Sequence, residues 1–318
     1  MPGPSKRIAV AGGTGGIGSH VVEGLLEIKE KHSLHIIVLS RSSKPDVIYA
    51  GAAAPVIATD YNNVHTIEQV LREHDIDTVI STIVDTVPSS FKAVQQRLLD
   101  AALNVPSVRR FAPSEFAVDS EKLQSTVVFY QSKALIVQSL RKVREYNKDF
   151  EFIKFSCGLF MNYFAYGNPK PDGGKAHGHL RQFPFVIDIS KGTADVPGDG
   201  NHKFCYTTAE DVGRFTAAAT QLETWSEDGT MAGDFRTINE IIQMAERVTG
   251  KTFDVKYNTE DDLLARMNPN PESAMTNFYL EVLLGMIRGE CDQGAELNKL
   301  TNVKPTSVES FLQAWWGN

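Results

Sequence analysis

Apolar and polar positions run in two rhythms through the first half of the chain. A short apolar run at residues 8–11 predicts a buried strand. It breaks into Gly12, Gly13, Gly15, Gly16 and Gly18, after which Val21, Val22, Leu25, Leu26 and Ile28 recur at helical spacing to about Lys31. Residues 34–39 and 55–59 read as the second and third strands. Val64, Ile67, Val70 and Leu71 mark the next helix, and residues 78–84 a fourth strand. Phe91, Val94, Leu98 and Ala101 line another helix before a fifth strand at 108–112. Strands alternating with helices in this way predict βαβ units, and hence a parallel sheet covered on both faces. The expected fold class is α/β, a Rossmann-type doubly wound parallel sheet.

The pattern predicts a long helix over 125–147 and a sixth strand over 150–156, and then it changes. Residues 167–202 are rich in glycine and proline, as long binding loops often are. Capping boxes begin helices at Thr208-Ala-Glu-Asp211 (running through Leu222), at Thr237-Ile-Asn-Glu240 (to about Val248) and at Thr306-Ser-Val-Glu309 (ending in Trp315-Trp316). Residues 251–257 read as a strand and 275–289 as a mostly buried helix. The expected organisation is a dinucleotide-binding domain over 1–157 and a smaller C-terminal substrate-binding region over 158–318. Part of the latter, about 207–222, is expected to return to the sheet.

Composition narrows the partners. A net charge of −7 with no basic run speaks against a nucleic-acid surface. Cys157, Cys205 and Cys291 are odd in number and far apart, which suggests neither a disulfide framework nor a zinc site. No apolar stretch approaches spanning length and the first residues carry no signal-peptide core, so no membrane partner is expected and a cytoplasmic location is. Small molecules are the expected partners; a homodimer stays open.

The glycine turn carries the first chemistry. Gly13, Gly15 and Gly18 fit G-x-G-x-x-G, and Gly12, Gly15 and Gly18 fit G-x-x-G-x-x-G. A strand precedes and a helix follows, the context in which such a turn holds a pyrophosphate against free helix N–H groups. Gly12, Gly13, Thr14, Gly15, Gly16, Ile17 and Gly18 are therefore expected to bind a dinucleotide. An NAD-preferring site ends its second strand in Asp or Glu. Here Ser40, Arg41 and Lys44 stand in that position, and a guanidinium can meet a 2′-phosphate with two parallel hydrogen bonds. The expected cofactor is NADP(H). Ser81 and Thr82, ending the fourth strand, are expected to line it.

Residues 109–119, RRFAPSEFAVD, bring a family into view. An Arg-Phe-x-Pro-Ser-Glu-Phe run after the fifth strand resembles the isoflavone reductase and phenylcoumaran benzylic ether reductase group, atypical short-chain dehydrogenases within the NmrA-like superfamily. The likeness extends over the glycine turn, Arg41, Lys133, the run Gly158-Leu-Phe-Met-Asn162 and the run Asp211-Val-Gly-Arg-Phe215. Pro113, Ser114, Glu115 and Phe116 are expected to border the cofactor. The resemblance implies NADPH-dependent reduction of aromatic secondary metabolites, and the group includes members that bind the dinucleotide and regulate without catalysing. Ordinary short-chain dehydrogenases use Tyr-x-x-x-Lys, the ammonium lowering the phenol's pKa. Four residues before Lys133 stands Phe129, and Tyr130, three before, is a weak substitute. The resembled group also lacks that tyrosine and keeps the lysine as general acid or base, a role that falls on Lys133. Ala117-Val118 stands where several relatives have Gly followed by His, Asn or Met.

Aromatic residues gather around the sixth strand and beyond it. Met161, Asn162 and Tyr163 follow the strand's end, where open α/β sheets collect ligands, and are expected to bind an aromatic substrate. His177 and His179 have no cysteine or carboxylate at ligand spacing nearby, so no metal is expected. Cys157 reads as packing. The expected activity is an NADPH-dependent reductase with hydride from nicotinamide C4 and Lys133 as general acid or base. A non-catalytic NADP(H)-sensing regulator and a redox-neutral isomerase or dehydratase are the alternatives.

Overall fold

The computed structural model of the chain describes residues 3–317. β1 (Arg7–Ala11), α1 (Ile17–His32) and β2 (His35–Ser40) open the fold; a hairpin of β3 (Val47–Tyr49) and β4 (Ala52–Ala54) then leads into β5 (Val56–Ala58). There follow α2 (Val64–Glu73), β6 (Thr78–Ser81), α3 (Pro88–Leu103), β7 (Arg110–Ala112), α4 (Ser120–Leu123), α5 (Tyr130–Tyr146) and β8 (Glu151–Phe152). Six strands join in the order β5-β2-β1-β6-β7-β8, each neighbouring pair parallel. The order reverses between β1 and β6, the switch point where such sheets bind ligands.

Alternation along β1 sorts the two faces. Ile8 and Val10 pack with Val21, Val22 and Leu25 of α1, whereas the smaller Ala9 and Ala11 face the layer holding Leu71, Leu98 and Leu140. Both faces are buried, which is why the strands read as continuous apolar runs.

The second half adds β9 (Lys154–Ser156), β10 (Leu159–Phe160), β11 (Ile187–Asp188), β12 (Thr193–Pro197), β13 (Lys203–Thr207), α6 (Ala209–Ala219), β14 (Asp228–Thr230) and β15 (Asp234–Thr237). It ends with α7 (Ile238–Thr249), β16 (Asp254–Asn258), α8 (Glu260–Arg266), α9 (Phe278–Ile287), α10 (Glu296–Leu300) and α11 (Val308–Trp316). Its core gathers Ile238 and Ile241 of α7, Leu283 of α9 and Leu312 of α11. Among the described residues no helix is long and apolar enough to cross a membrane.

Several expectations change in detail. The sixth strand divides. Ile153 N–H still donates to Phe111 O in the central sheet, but the next N–H, of Lys154, donates to Glu227 O, and β9 pairs with β14. The buried Lys154 ammonium explains the departure, since it sits 3.3 Å from Asp119 and 3.1 Å from Asp228, carboxylates that the central sheet does not supply. The helix expected from residue 125 starts at Tyr130, after a turn in which Val128 N–H donates to the buried Glu281. The glycine-rich stretch 167–202 also contains strands, β11 and β12, the latter running parallel to β16.

The stretch around 207–222 does come back to the first half. A Cβ on Gly24 of α1 would lie 2.4 Å from Gly213 O of α6, so these helices meet backbone to backbone. Beyond α6 the chain is pinned by Arg110, 1% exposed, which pairs with Glu151 at 2.9 Å and donates to the carbonyls of Thr220, Leu222 and Glu223.

Candidate functional site

The turn after β1 assigns each glycine a different constraint. Gly12 (φ 85°) and Gly16 (φ 54°) hold left-handed backbone that other residues rarely adopt. Gly18 has no room, because a Cβ would lie 2.4 Å from Gly12 O and from Thr82 Oγ1. Gly15 is different. Its φ is not positive and a Cβ there would touch nothing within 4 Å, so neither strain nor packing requires glycine. A side chain there would enter open space two residues before α1, whose amino end has no side-chain cap and no acidic residue in its first turn. An uncapped helix terminus facing clear space is what a pyrophosphate requires.

At the end of β2, Ser40 is buried while Arg41 and Lys44 are exposed. Lys44 Nζ donates to Thr14 Oγ1 at 2.8 Å, so one cation reaches back to the turn. Arg41 makes no hydrogen bond within the described chain, leaving its five donors for a phosphate. The residues present fit a dinucleotide carrying a 2′-phosphate.

Two residues expected to line the cofactor have their hydroxyls engaged by the scaffold. Ser81 is fully buried and its hydroxyl accepts from Gln95 Nε2 at 2.9 Å, turned toward α3. Thr82 donates to Ala11 O at 2.9 Å and lies against Gly12 and Gly18, so it braces the turn from beneath.

Lys133 lies in the first turn of α5 and is 8% exposed, with Nζ donating to Glu115 O at 2.6 Å. Burial pushes its pKa below the ordinary lysine range, opposed by the charges of Glu115 and Cys157. Glu115 is itself buried; burial raises its carboxyl against the pull of Lys133, and its Oε2 accepts from Ser120 N–H at 3.3 Å. Ser114 is buried too, and Glu115 N–H closes a tight turn onto Pro113 O. Phe116 takes a φ of 34°, strained for a side chain of its size, and its ring stacks on Phe155 at 5.5 Å. The Pro113–Phe116 turn therefore presents main chain to Lys133 while burying its side chains.

Tyr130 presents the face of its ring to Lys133 Nζ, 5.4 Å from the centroid. Burial raises the pKa of its phenol far above the ordinary value, with Glu115 adding to the shift. This phenol is not an acid poised near neutrality.

Beyond Tyr130 the wall is aromatic. Phe278 meets Tyr130 edge to face at 5.9 Å, and Tyr163 packs against Phe183 at 4.3 Å and Phe185 at 6.2 Å. Burial takes Tyr163 up to about 12, with Cys157 adding to the effect. Of the three residues expected to bind substrate, only Tyr163 keeps a partly exposed ring. Met161 and Asn162 are fully buried. Met161 packs into the second core, and Asn162 bridges Ala176 O (2.9 Å), Glu210 (3.1 Å) and Ala209 N–H (2.8 Å). The strand's end was legible, but the direction of each side chain beyond it was not. Phe278, unassigned in the sequence, was hidden in an apolar helix without a polar face to orient it.

The two histidines of the Lys-Ala-His-Gly-His run part company. His177 is buried, while His179 reaches α1, where its Nε2 lies 2.6 Å from Glu23 Oε1. No carboxylate stands at ligand spacing beside His179 in the sequence, and the fold supplies one from a helix 156 positions away.

A sheet reversing beside an uncapped helix and a glycine turn defines a Rossmann protein of the dinucleotide-binding type. The chain belongs to the NmrA-like family, whose model matches residues 4–312. An oxidoreductase of Botryotinia fuckeliana, BOA1, is 32% identical over 246 residues, covering 77% of this chain and 76% of its own. A leucoanthocyanidin reductase of Desmodium uncinatum is 27% identical over 296 residues, covering 89% and 72%. In structure, the leucoanthocyanidin reductase–NADPH complex from Vitis vinifera superposes with a TM-score of 0.73 at 20% identity, covering 97% of this chain and 99% of that one. At that identity the likeness is one of fold.

Proposed function

We propose that this chain is an NADP(H)-dependent oxidoreductase that reduces an aromatic or phenolic secondary metabolite. When bound, NADPH supplies the hydride, delivered from C4 of its nicotinamide. The chain's own part is to bind, orient and move a proton. Gly12 to Gly18 and the amino end of α1 hold the pyrophosphate, and Arg41 and Lys44 hold the 2′-phosphate. Lys133 Nζ gives a proton to the substrate atom that gains charge, or takes one from it, and its lowered pKa brings that exchange closer to neutral pH. Tyr163, Tyr130 and Phe278 offer ring faces and edges to a planar substrate.

The observation that carries this reading is Lys133 itself, a buried ammonium held by a main-chain carbonyl beside an aromatic wall. Relatives named for phenolic reductions support the substrate class, among them a phenylcoumaran benzylic ether reductase of Nicotiana tabacum and a pinoresinol-lariciresinol reductase of Thuja plicata. The test is NADPH consumption with a panel of aromatic ketones, enones and benzylic ethers, using the wild-type chain and Lys133→Met. A second reading, a cofactor-sensing regulator without turnover, draws support from Phe129 in place of the usual tyrosine and from Tyr130, whose phenol burial holds well above its ordinary pKa. A panel without turnover, together with cofactor-dependent capture of another protein, would favour it.

A further inference from the structure

A second cluster lies where the segment 173–180 crosses α1. His20 and Glu23 are three apart on α1 and share a face. His179 comes down on them from the crossing segment, with Nε2 2.6 Å from Glu23 Oε1. One donor atom from each of the three lies within 4.8 Å of the other two. His20 is 3% exposed, and its Nδ1, 3.4 Å from Glu23 Oε2, is a buried polar atom without a hydrogen-bond partner. Packing locks the ring. A Cβ on Gly178 (φ 54°) would lie 2.4 Å from it, and a Cβ on Gly213 would lie 2.0 Å from the His20 carbonyl.

We propose that His20, Glu23 and His179 form a binding site for a divalent transition-metal cation, zinc or its cobalt and nickel analogues, which staples the 173–180 segment to α1. Two imidazole nitrogens and one carboxylate oxygen are a donor set for such borderline cations, whereas magnesium and calcium prefer all-oxygen shells. Three protein ligands leave a further position for water. The Glu23 carboxylate lies between the two rings, with Oε1 2.6 Å from His179 Nε2 and Oε2 3.4 Å from His20 Nδ1. Glu210, whose Oε1 would lie 2.9 Å from a Cβ on Gly178, adds negative charge to the neighbourhood.

Binding requires two proton movements. The proton that now joins His179 to Glu23 leaves, so cation and proton compete for the imidazole. His20 Nε2 accepts the His179 amide N–H at 3.0 Å, which assigns the ring proton to Nδ1. A cation on Nδ1 moves that proton to Nε2, and the amide must turn away. Gly178, immediately before His179 and free of a Cβ, is the hinge for that turn, and the nearby Glu210 carboxylate is an acceptor for the new Nε2–H. Giving up one neutral hydrogen bond is a small loss beside the affinity of two imidazoles and a carboxylate for zinc. The cation prevails.

The test uses the untagged full-length chain and zinc chloride in calorimetry, with cobalt as a spectroscopic substitute. One equivalent of zinc is expected to bind. His179→Gln and Glu23→Gln, both at partly exposed positions, should each weaken binding at least about tenfold while keeping the wild-type melting temperature within a few degrees. Hydrogen exchange in 173–180 should slow on adding zinc. No saturable binding overturns the proposal. So does binding that His179→Gln leaves unchanged, which would place the cation elsewhere, such as at the stacked His35–His74 pair. Cobalt spectra dominated by thiolate charge-transfer bands would overturn it too, assigning the cation to cysteines.

Discussion

Lys133 Nζ donates to the Glu115 carbonyl at 2.6 Å, joining the first turn of α5 to the tight turn after β7. The bond runs to main chain, so no substitution at residue 115 removes it directly. Lys133→Met should abolish NADPH-dependent turnover and leave the dissociation constant for NADPH within about threefold, a difference under about 1 kcal/mol. Calorimetry beside a turnover assay checks both halves. Loss of NADPH binding would make Lys133 a cofactor ligand.

Glu115→Gln separates the carboxyl from the carbonyl. The ionised carboxylate raises Lys133 against the larger lowering by burial. Removing that charge lets burial dominate further, so the lysine deprotonates at lower pH. The limb of the kcat/KM profile that reports Lys133 should therefore move toward acid at pH values where Glu115 is ionised. An unmoved limb would mean that the carboxyl does not act on the reacting lysine.

Gly15 and Gly18 should part in behaviour although they stand only three positions apart. Gly15→Ala meets nothing in the protein, so its melting temperature should stay near the wild type while NADPH affinity falls about tenfold or more, or 1.4 kcal/mol. Gly18→Ala runs into Gly12 O and Thr82 Oγ1 and should lose stability by about 1–3 kcal/mol. Denaturant melts with titration of cofactor distinguish the two.

Arg41→Ala should weaken NADPH by about 1.5–3 kcal/mol, the value of hydrogen bonds to a charged group, and leave NADH nearly unchanged. Equal losses for both coenzymes would remove Arg41 from the 2′-phosphate.

Arg110 has no part in the chemistry and should be costly to replace. Arg110→Met leaves Glu151 without its buried partner and the Leu222 and Glu223 carbonyls without a donor, a loss of about 3–5 kcal/mol measurable by urea unfolding.

Strand rhythm and turn chemistry made the first half legible. Residues 8–11, 34–39 and the glycines between them are local signals, and each of the six strands of the central sheet overlaps a segment read from periodicity. What escaped depends on contacts distant in sequence. Lys154 reads as one polar residue in an apolar strand until Asp228, 74 positions on, arrives beside it. Ser81 ends a strand and Met161 and Asn162 follow one, as expected, but whether such a side chain faces the cleft or the core depends on Gln95, Ala176 and Glu210. His179 found its carboxylate on α1, and nothing in its own neighbourhood announced that partner.

The glycine-to-glycine seam between α1 and α6 bears on how this molecule can diversify. Its two main chains leave no tolerance for even one added methyl group. A side chain gained on either helix would therefore force α1 and α6 apart. Any exchange of the segment after residue 157 has to keep Gly213 opposite Gly24, so the two halves of the chain can vary independently everywhere but along this seam.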